Sequence, residues 1–328
     1  MSAGGVYLRA FLAPFEPWLA RADVTDILVN RPGEVWIETA GGPMTRHDAP
    51  DLTDTILNRL AQQIAAASHQ GVNREQPLLA ASLPSGERVQ IIAAPATRGP
   101  MALAIRKHVV EDLRLADFAA AGAFAATAQT RLDQPRHLDP SVRAALASGD
   151  FPAFFRAAVR ARLTLLLSGG TGAGKTTLLN ALVKEIPDTE RIIVIEDTPE
   201  VRLDRPNAVG LIAVKGELGE ARIGIDALMQ ASLRMRPDRL LVGEIRGGEA
   251  FTFLRAINTG HPGSITTIHA DSPRGALEQL AFMALQAGLN LSRSEIIAYA
   301  GETIDIIVQL ARRDGKRVVS AVTLTRDV

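Results

Sequence analysis

The sequence predicts an α/β protein with two domains, a smaller N-terminal α+β domain and a C-terminal domain built on a mainly parallel sheet. Three observations support this prediction. Hairpin-like patterns fill the first third of the chain, strand-like and helix-like segments alternate in the second half, and a glycine-rich phosphate-binding pattern joins one such strand to one such helix. The length of 328 residues also favours two domains. We place the N-terminal domain with its connecting helix at 1–135 and the C-terminal domain at 136–328.

The N-terminal third carries the signals of a small antiparallel sheet. After an opening helix, the runs 24–29 and 34–38 are β-prone and flank a turn-forming Asn-Arg-Pro-Gly. Apolar residues recur at a helical spacing over 53–67, and a hairpin follows around the Pro-Ser-Gly at 84–86. Side chains alternate in direction over 101–107: Met101, Leu103 and Ile105 face one way, and Ala102, Ala104 and Arg106 face the other.

Composition restricts the classes of protein that this chain can belong to. Lys plus Arg and Asp plus Glu each number 36, so the net charge is zero, and we expect no sequence-specific binding to nucleic acid. The absence of cysteine excludes disulfides and cysteine–zinc sites and fits a reducing compartment. No signal peptide is visible, and the apolar run 118–128 is too short and too rich in alanine to span a bilayer. We expect a soluble protein with only peripheral membrane contact.

The second half of the chain has the pattern of a mainly parallel sheet. Residues 109–160 read as alanine-rich helices interrupted by proline, and strands and helices then alternate. The candidate strands are 163–167, 191–196, 209–214, 239–244 and 264–269, followed by a hairpin that turns at Asp314 and Gly315. The sequence predicts where two helices begin. Ser272 is an N-cap with Pro273 at the first helical position, and Ser292 with Glu295 forms a capping box.

The stretch SGGTGAGKTT at 168–177 fits the pattern G-x-x-x-x-G-K-[ST] and lies between a strand and a helix. Backbone N–H groups of such a loop surround phosphate oxygens, and the start of the following helix adds positive potential. Lys175 brings an ammonium to the β- and γ-phosphates, and the Thr176 hydroxyl can ligate Mg²⁺. The alternative, a glycine-rich surface turn, does not explain the flanking elements. The predicted nucleotide-binding residues of this loop are Gly170, Thr171, Gly172, Ala173, Gly174, Lys175, Thr176 and Thr177.

Acidic residues follow two of the predicted strands, where the phosphates would lie. Glu196 ends one strand, with Asp197 and Glu200 shortly after it, and these acids could hold Mg²⁺ through water or position the attacking water. Glu244 ends the run RLLVGE. The usual Walker B pattern has an Asp before the final acid to hold Mg²⁺, and this sequence has Gly243 there. We therefore predict that Glu244 and Glu196 position the attacking water. We also predict that these two residues, together with Thr176, bind the metal ion. The alternatives are a solvated acidic turn after Glu196 and a simple ion pair between Glu244 and Arg246.

His269 ends another predicted strand, from which its imidazole could reach the γ-phosphate and report its loss, so it is a candidate catalytic residue. A structural histidine is the simpler alternative. Arg88 and Arg106 lie on N-terminal strands, and phosphoryl transfer gains from a guanidinium on the developing charge. Without further information, both are surface arginines.

Four motifs together resemble the secretion-ATPase superfamily of type II and type IV secretion and type IV pili. Its Walker A, Asp box, Walker B and His box are similar, in that order, to four stretches of this sequence: GGTGAGKTT, IEDTPE, RMRPDRLLVGEIRGGEA and TGHPGSITTIHADS. VTDILVNRPGEVWIE, LPSGERVQI and LAIRK resemble its N-terminal domain. Within this superfamily the sequence is most similar to the VirB11 branch. Three features favour that branch: the compact N-terminal domain, the lack of a tetracysteine module and the Gly-His-Pro-Gly-Ser in the His box. The Gly243 departure is common in this family.

The resemblance implies a RecA-like P-loop ATPase domain behind a small N-terminal domain, in a ring of six subunits. It implies Mg²⁺-dependent hydrolysis of ATP between the two domains, phosphate contacts from Arg88 and Arg106, and a γ-phosphate sensor at His269. The expected location is the cytoplasm, peripheral to the cytoplasmic face of the inner membrane. The expected partners are inner-membrane secretion-channel proteins and other secretion ATPases.

Other functions remain open from the sequence. A pilus assembly or retraction motor, or a tight-adherence pilus ATPase, belongs to the same superfamily. A nucleotide-binding scaffold without turnover is disfavoured because the candidate site residues are all present: Lys175, Thr176, Glu196, Glu244 and His269. A small-molecule kinase needs a lid and an acceptor pocket, which the N-terminal segment does not offer. Zero net charge argues weakly against a DNA translocase.

Overall fold

The computed structural model describes residues 3–107, 139–214, 222–288, 290–313 and 316–325. Within these residues, the strands form one six-stranded and one seven-stranded sheet. The first sheet and its helices belong to the N-terminal domain, and the second sheet belongs to the C-terminal domain. The prediction of an α/β fold with a smaller α+β domain is confirmed. The boundary between 135 and 136 and the connecting helix lie outside the described residues, so the domain limits stay a prediction.

The N-terminal sheet is antiparallel throughout and has the strand order β3-β2-β1-β6-β5-β4. Its strands are β1 (Val24–Val29), β2 (Gly33–Thr39), β3 (Thr45–Ala49), β4 (Leu78–Ser82), β5 (Arg88–Ala93) and β6 (Met101–Arg106). Its helices are α1 (Ala3–Leu12), α2 (Glu16–Leu19) and α3 (Asp54–Ala67). The hairpin around 84–86 joins β4 to β5 as expected, whereas β3 carries polar residues and has no clear strand signal in the sequence.

The C-terminal sheet has the order β13-β12-β7-β11-β10-β8-β9 and is parallel except for the β12–β13 hairpin. Its strands are β7 (Leu165–Gly169), β8 (Ile192–Glu196), β9 (Ala208–Ile212), β10 (Arg239–Val242), β11 (Ile265–Ile268), β12 (Ile306–Arg313) and β13 (Lys316–Leu324). The turn predicted at 314–315 lies outside the described residues. The five candidate strands of the parallel part of the sheet lie within about two residues of their predicted limits at both ends. Such limits are the least certain part of a prediction from sequence patterns.

Four helices of the C-terminal domain begin after a residue whose side chain caps their first turn. Ser272 accepts a hydrogen bond from the backbone N–H of Gly275, and Ser292 and Glu295 form the predicted capping box. Pro140 and Pro152 lie in the first turn of their helices, where the missing N–H costs nothing. The helices are α4 (Pro140–Ser148), α5 (Phe151–Arg160), α6 (Lys175–Val183), α7 (Ile225–Ser232), α8 (Glu249–Asn258), α9 (Pro273–Leu285) and α10 (Arg293–Thr303).

Strand β6 connects two hydrophobic cores. The side chains of Met101, Leu103 and Ile105 lie in the core between the N-terminal sheet and its helices. Ala102 and Ala104 point the other way, as the alternation predicts, into a second core that includes residues of α7, α8 and α9. The small side chains on this face allow the C-terminal domain to pack closely against the sheet. The two domains of one chain therefore share a continuous hydrophobic core.

Buried polar contacts also join the domains. The fully buried guanidinium of Arg191 donates to the side chains of Asn30 and Asn207. Complete burial lowers the pKa of Arg191 to about 10, and the nearby carboxylate of Asp238 partly opposes that effect. Arg236 forms an ion pair with Glu38 of β2. These contacts favour one arrangement of the domains, because separation would leave the buried Arg191 without its Asn30 partner.

Candidate functional site

Four neighbouring parallel strands end at one edge of the C-terminal sheet and bring the predicted site residues together. The glycine-rich loop follows β7, His269 follows β11, Glu244 follows β10, and Glu196 ends β8. Residues at the carboxyl ends of parallel strands meet at one edge, where ligands of such folds bind. The loop and these three side chains line one cavity of about 390 Å³.

The loop is built to bind an anion. Helix α6 begins at Lys175, and no side chain caps its first turn at Gly174, so N–H groups at the helix start remain available to a ligand. Lys175 is only 8% exposed, and its Nζ donates to the carbonyl of Gly169 at 2.7 Å. Burial lowers the pKa of Lys175, while the Glu244 carboxylate raises it. A phosphate would give this buried ammonium a full counter-charge.

Thr176 contacts the carboxylate of Glu200, one of the acids that follow β8 in the sequence. Its hydroxyl donates to Oε2 of Glu200 at 3.0 Å. One hydroxyl and one carboxylate beside a phosphate loop fit Mg²⁺, which usually keeps several waters and takes its other oxygens from the nucleotide. Within the described ranges, no group of three or more His, Cys, Asp or Glu residues could hold a metal by itself. The donor set therefore fits a metal that arrives with the nucleotide.

Glu196 is 2% exposed, and both of its carboxylate oxygens have partners. Oε1 accepts the backbone N–H groups of Glu200 at 2.9 Å and Val201 at 2.8 Å. Oε2 forms an ion pair with Arg98, which comes from the N-terminal domain. The alternative predicted a solvated acidic turn here. The chain does turn after Glu196, but Glu196 itself is buried, and its carboxylate holds the turn through hydrogen bonds while the residue also lines the cavity.

The missing Walker B aspartate has a steric explanation. Strands β8 and β10 are in register, so that Val242 pairs with Ile195 and Gly243 lies beside Glu196. A Cβ atom at 243 would lie 2.8 Å from Cγ of Glu196. The Glu196 side chain therefore occupies the space into which an aspartate at 243 would project.

Glu244 connects the predicted catalytic groups. Its Oε1 lies 2.5 Å from Nε2 of His269 and 4.0 Å from Nζ of Lys175. Its Oε2 accepts from Nε of Arg246 at 2.7 Å. The simple ion pair with Arg246 considered from the sequence is present, and the same carboxylate also faces the cavity. The imidazole of His269 lies between two charged groups, since its Nδ1 is 3.3 Å from Nζ of Lys175.

Arg88 and Arg106 do not join this cavity within one chain. They are register partners on β5 and β6 and line a second cavity of about 710 Å³ together with Arg234. Arg317 of β13, by contrast, does line the phosphate-loop cavity and approaches the Thr177 hydroxyl at 3.5 Å. Nothing in the sequence pattern marks Arg317 or Arg98 as part of the site, because each reaches it only through the tertiary fold.

The fold and the site define a P-loop nucleotide-binding protein with a RecA-like domain. A family model described as type II/IV secretion system protein matches residues 10–317, and the chain belongs to this family. It is 38% identical to the type IV secretion system protein VirB11 of Bartonella quintana, over 95% of this chain and 91% of that protein. It is 42% identical to the type IV secretion system protein PtlH of Bordetella pertussis, over 93% of this chain and 90% of that protein.

A solved structure gives the same result. The crystal structure of the VirB11 ATPase from the Brucella suis type IV secretion system, in complex with sulphate, superimposes with a TM-score of 0.89. The sequences are 33% identical, and the match covers 98% of this chain and 100% of that one. The resemblance to the VirB11 branch is therefore confirmed. Among the helices that the structure describes, none is long and apolar enough to cross a membrane, and the apolar run 118–128 lies outside them.

Proposed function

We propose that this chain is an Mg²⁺-dependent ATPase and that hydrolysis of ATP powers a type IV secretion system. The observation that carries the proposal is the buried Lys175 ammonium in the phosphate loop, with Glu244 and His269 in the same cavity. A site that only held a nucleotide would need the loop and not the acid beside it. Membership of the secretion family, with VirB11 and PtlH as relatives, supports the biological role.

Separate groups of the chain are assigned to the phosphates and to the metal ion. The backbone N–H groups of 170–177 would surround the phosphate oxygens. Lys175, which donates to the Gly169 carbonyl, would bind the β- and γ-phosphates. Thr176 and Glu200 are placed to hold the metal. Mg²⁺ would neutralise charge that develops on the phosphate oxygens. Arg317 at the cavity wall adds positive charge near Thr177.

Glu244 is the acid that we assign to the attacking water. Its carboxylate faces the cavity beside Lys175, whereas both oxygens of Glu196 already bind backbone N–H groups and Arg98. Glu196 therefore acts on the reaction by holding the loop that carries Glu200. His269 links Glu244 to Lys175 and is placed to respond when the γ-phosphate leaves.

We assign Arg88 and Arg106 to the phosphate site of a neighbouring copy. They are exposed, lie side by side on one sheet and are absent from the phosphate-loop cavity of their own chain. A guanidinium supplied in trans stabilises the transition state of many phosphoryl transfers. In the ring of six subunits that we propose, hydrolysis would change the arrangement of the domains and so act on channel proteins at the cytoplasmic face of the inner membrane.

Phosphate release from ATP tests the hydrolase assignment. Wild-type protein should release phosphate only with Mg²⁺, and Lys175→Ala should lose turnover because it removes the phosphate-binding ammonium. Arg160→Ala, on the exposed end of α5, is the matched control and should keep full activity. Mg²⁺-dependent turnover that survives Lys175→Ala would place the chemistry elsewhere.

A mixing experiment tests the ring. Lys175→Ala and the Arg88→Ala, Arg106→Ala double variant should each be inactive alone. In mixed rings, some intact phosphate loops would face intact arginines, so mixing should restore part of the turnover. Light scattering of the same samples should give the mass of a hexamer. A mixture that stays inactive although mixed hexamers form would place the arginines in cis or outside the reaction.

A further inference from the structure

A loop of the N-terminal domain reaches the phosphate site of the same chain. The β5–β6 loop adds an antiparallel bridge to β9, the edge strand of the C-terminal sheet, through Thr97 and Leu211. The backbone N–H of Arg98 donates to the carbonyl of Gly210 at 2.8 Å, and the N–H of Ile212 donates to Ala96 at 3.0 Å. The loop is therefore fixed to the C-terminal sheet by backbone hydrogen bonds, and its side chains have a defined direction.

From this loop, the Arg98 side chain extends to Glu196. One guanidinium nitrogen pairs with Oε2 of Glu196, and another donates to the carbonyl of Val201 at 2.9 Å. A Cβ atom at Gly210 would lie 2.5 Å from Cδ of Arg98, so only glycine at this position leaves room for the side chain to pass. The planar guanidinium binds both acceptors at once, which a lysine ammonium does less well.

The contacts continue from Glu196 to the metal-side hydroxyl. Oε1 of Glu196 holds the N–H groups of Glu200 and Val201, and the Glu200 side chain accepts from Thr176. Asn180 of α6 donates to the Glu200 carbonyl at 3.2 Å and fixes the other side of this loop. Arg98 thus lies at the end of an unbroken series of hydrogen bonds that leads into the phosphate cavity.

We propose that Arg98 is a positioning residue for the reaction: through Glu196 it sets the place of Glu200 and links the position of the N-terminal domain to the phosphate site. The inference rests on the proposed function. Any movement that withdraws the β5–β6 loop from β9 removes the positive partner of a carboxylate that is 2% exposed. The loop at 197–201 then loses its anchor, and Glu200 no longer lies beside Thr176. Domain movement and metal binding are thereby coupled.

The test compares Arg98→Ala with a matched arginine. Arg205 also binds a carboxylate, that of Asp188, and a backbone carbonyl, that of Val183, but it does not line the cavity. Arg98→Ala should lower kcat by roughly 10- to 100-fold, as the loss of an outer partner does at metal sites. It should also raise the Mg²⁺ concentration needed for half-maximal turnover. Binding of nucleotide without Mg²⁺ should not change, because the loop and Lys175 are intact. Arg98→Lys should show a smaller loss, and Arg205→Ala should show none of these effects.

Two further measurements separate positioning from general destabilisation. If Arg98 acts through Glu196, the Arg98→Ala, Glu196→Gln double variant should lose no more than the worse single variant. Hydrogen exchange of the amides of Glu200 and Val201 should accelerate in Arg98→Ala and stay slow in Arg205→Ala. Losses that multiply, or amides that stay protected, would overturn the inference even if wild-type protein hydrolyses ATP. Inactive wild-type protein would refute the proposed function, and the exchange rates would still decide the role of Arg98.

Discussion

Gly243→Asp supplies the acid that the general Walker B pattern has, and the structure predicts that it harms the protein. A Cβ atom at 243 lies 2.8 Å from Cγ of Glu196, whereas carbon atoms in contact are normally about 3.5–4.0 Å apart. Glu196 cannot move away easily, because two backbone N–H groups and Arg98 hold its carboxylate. Overpacking of this kind costs about 1–3 kcal/mol. The added carboxylate beside a buried one increases the cost further.

The assay is thermal unfolding together with ATP turnover, and Gly243→Ala is the control that adds the Cβ without the charge. A domain of this size loses about 2–4 °C in Tm for each kcal/mol. Gly243→Ala should therefore lower Tm by about 2–12 °C, and Gly243→Asp by more. Turnover should fall in both variants because Glu196 anchors the loop that carries Glu200. An aspartate variant with wild-type Tm and faster turnover would refute this reasoning.

Three more predictions test separate parts of the account. Burial lowers the pKa of His261 in the folded protein below its usual 6.5. The unfolded chain therefore binds more protons as the pH falls, and the free energy of unfolding decreases. His261→Gln should reduce this decrease, as measured by urea unfolding between neutral pH and about pH 5. Arg236→Gln removes the charged contact with Glu38 across the domains and should lower the free energy of unfolding by about 1–3 kcal/mol. Thr176→Val should raise the Mg²⁺ requirement of turnover, and Glu200→Gln should do the same, while binding of nucleotide without metal stays unchanged in both.

The sequence predicts best what short stretches of chain determine. The phosphate loop lies between β7 and α6, and both predicted caps, Ser272 and Ser292, are present, because these features depend on neighbouring residues. The alternation over 101–107 also predicts correctly which side chains of β6 share a face. It does not predict that Ala102 and Ala104 are buried by the other domain, since alanine suits an exposed face as well as a close contact between elements.

Contacts between distant segments could not be predicted in this way. Arg98 lies 98 positions from Glu196 along the chain, and the loop ATRGP has no property that marks a site residue. Gly243 departs visibly from the usual pattern, yet the cause of the departure is a side chain of the neighbouring strand β8. The roles of Arg88 and Arg106 depend on a second copy of the chain in our proposal, and a single sequence does not show which surfaces meet.

In the proposed function, one cavity both binds and hydrolyses ATP: Lys175 binds the phosphates and Glu244 acts on the attacking water. The most direct test is a single-turnover experiment in which labelled ATP is mixed with excess protein and bound ATP and ADP are separated over time. Wild-type protein should convert bound ATP to ADP. Glu244→Gln should bind ATP and Mg²⁺ but accumulate uncleaved ATP, and Lys175→Ala should bind little of either nucleotide. Conversion at the wild-type rate by Glu244→Gln would contradict the account.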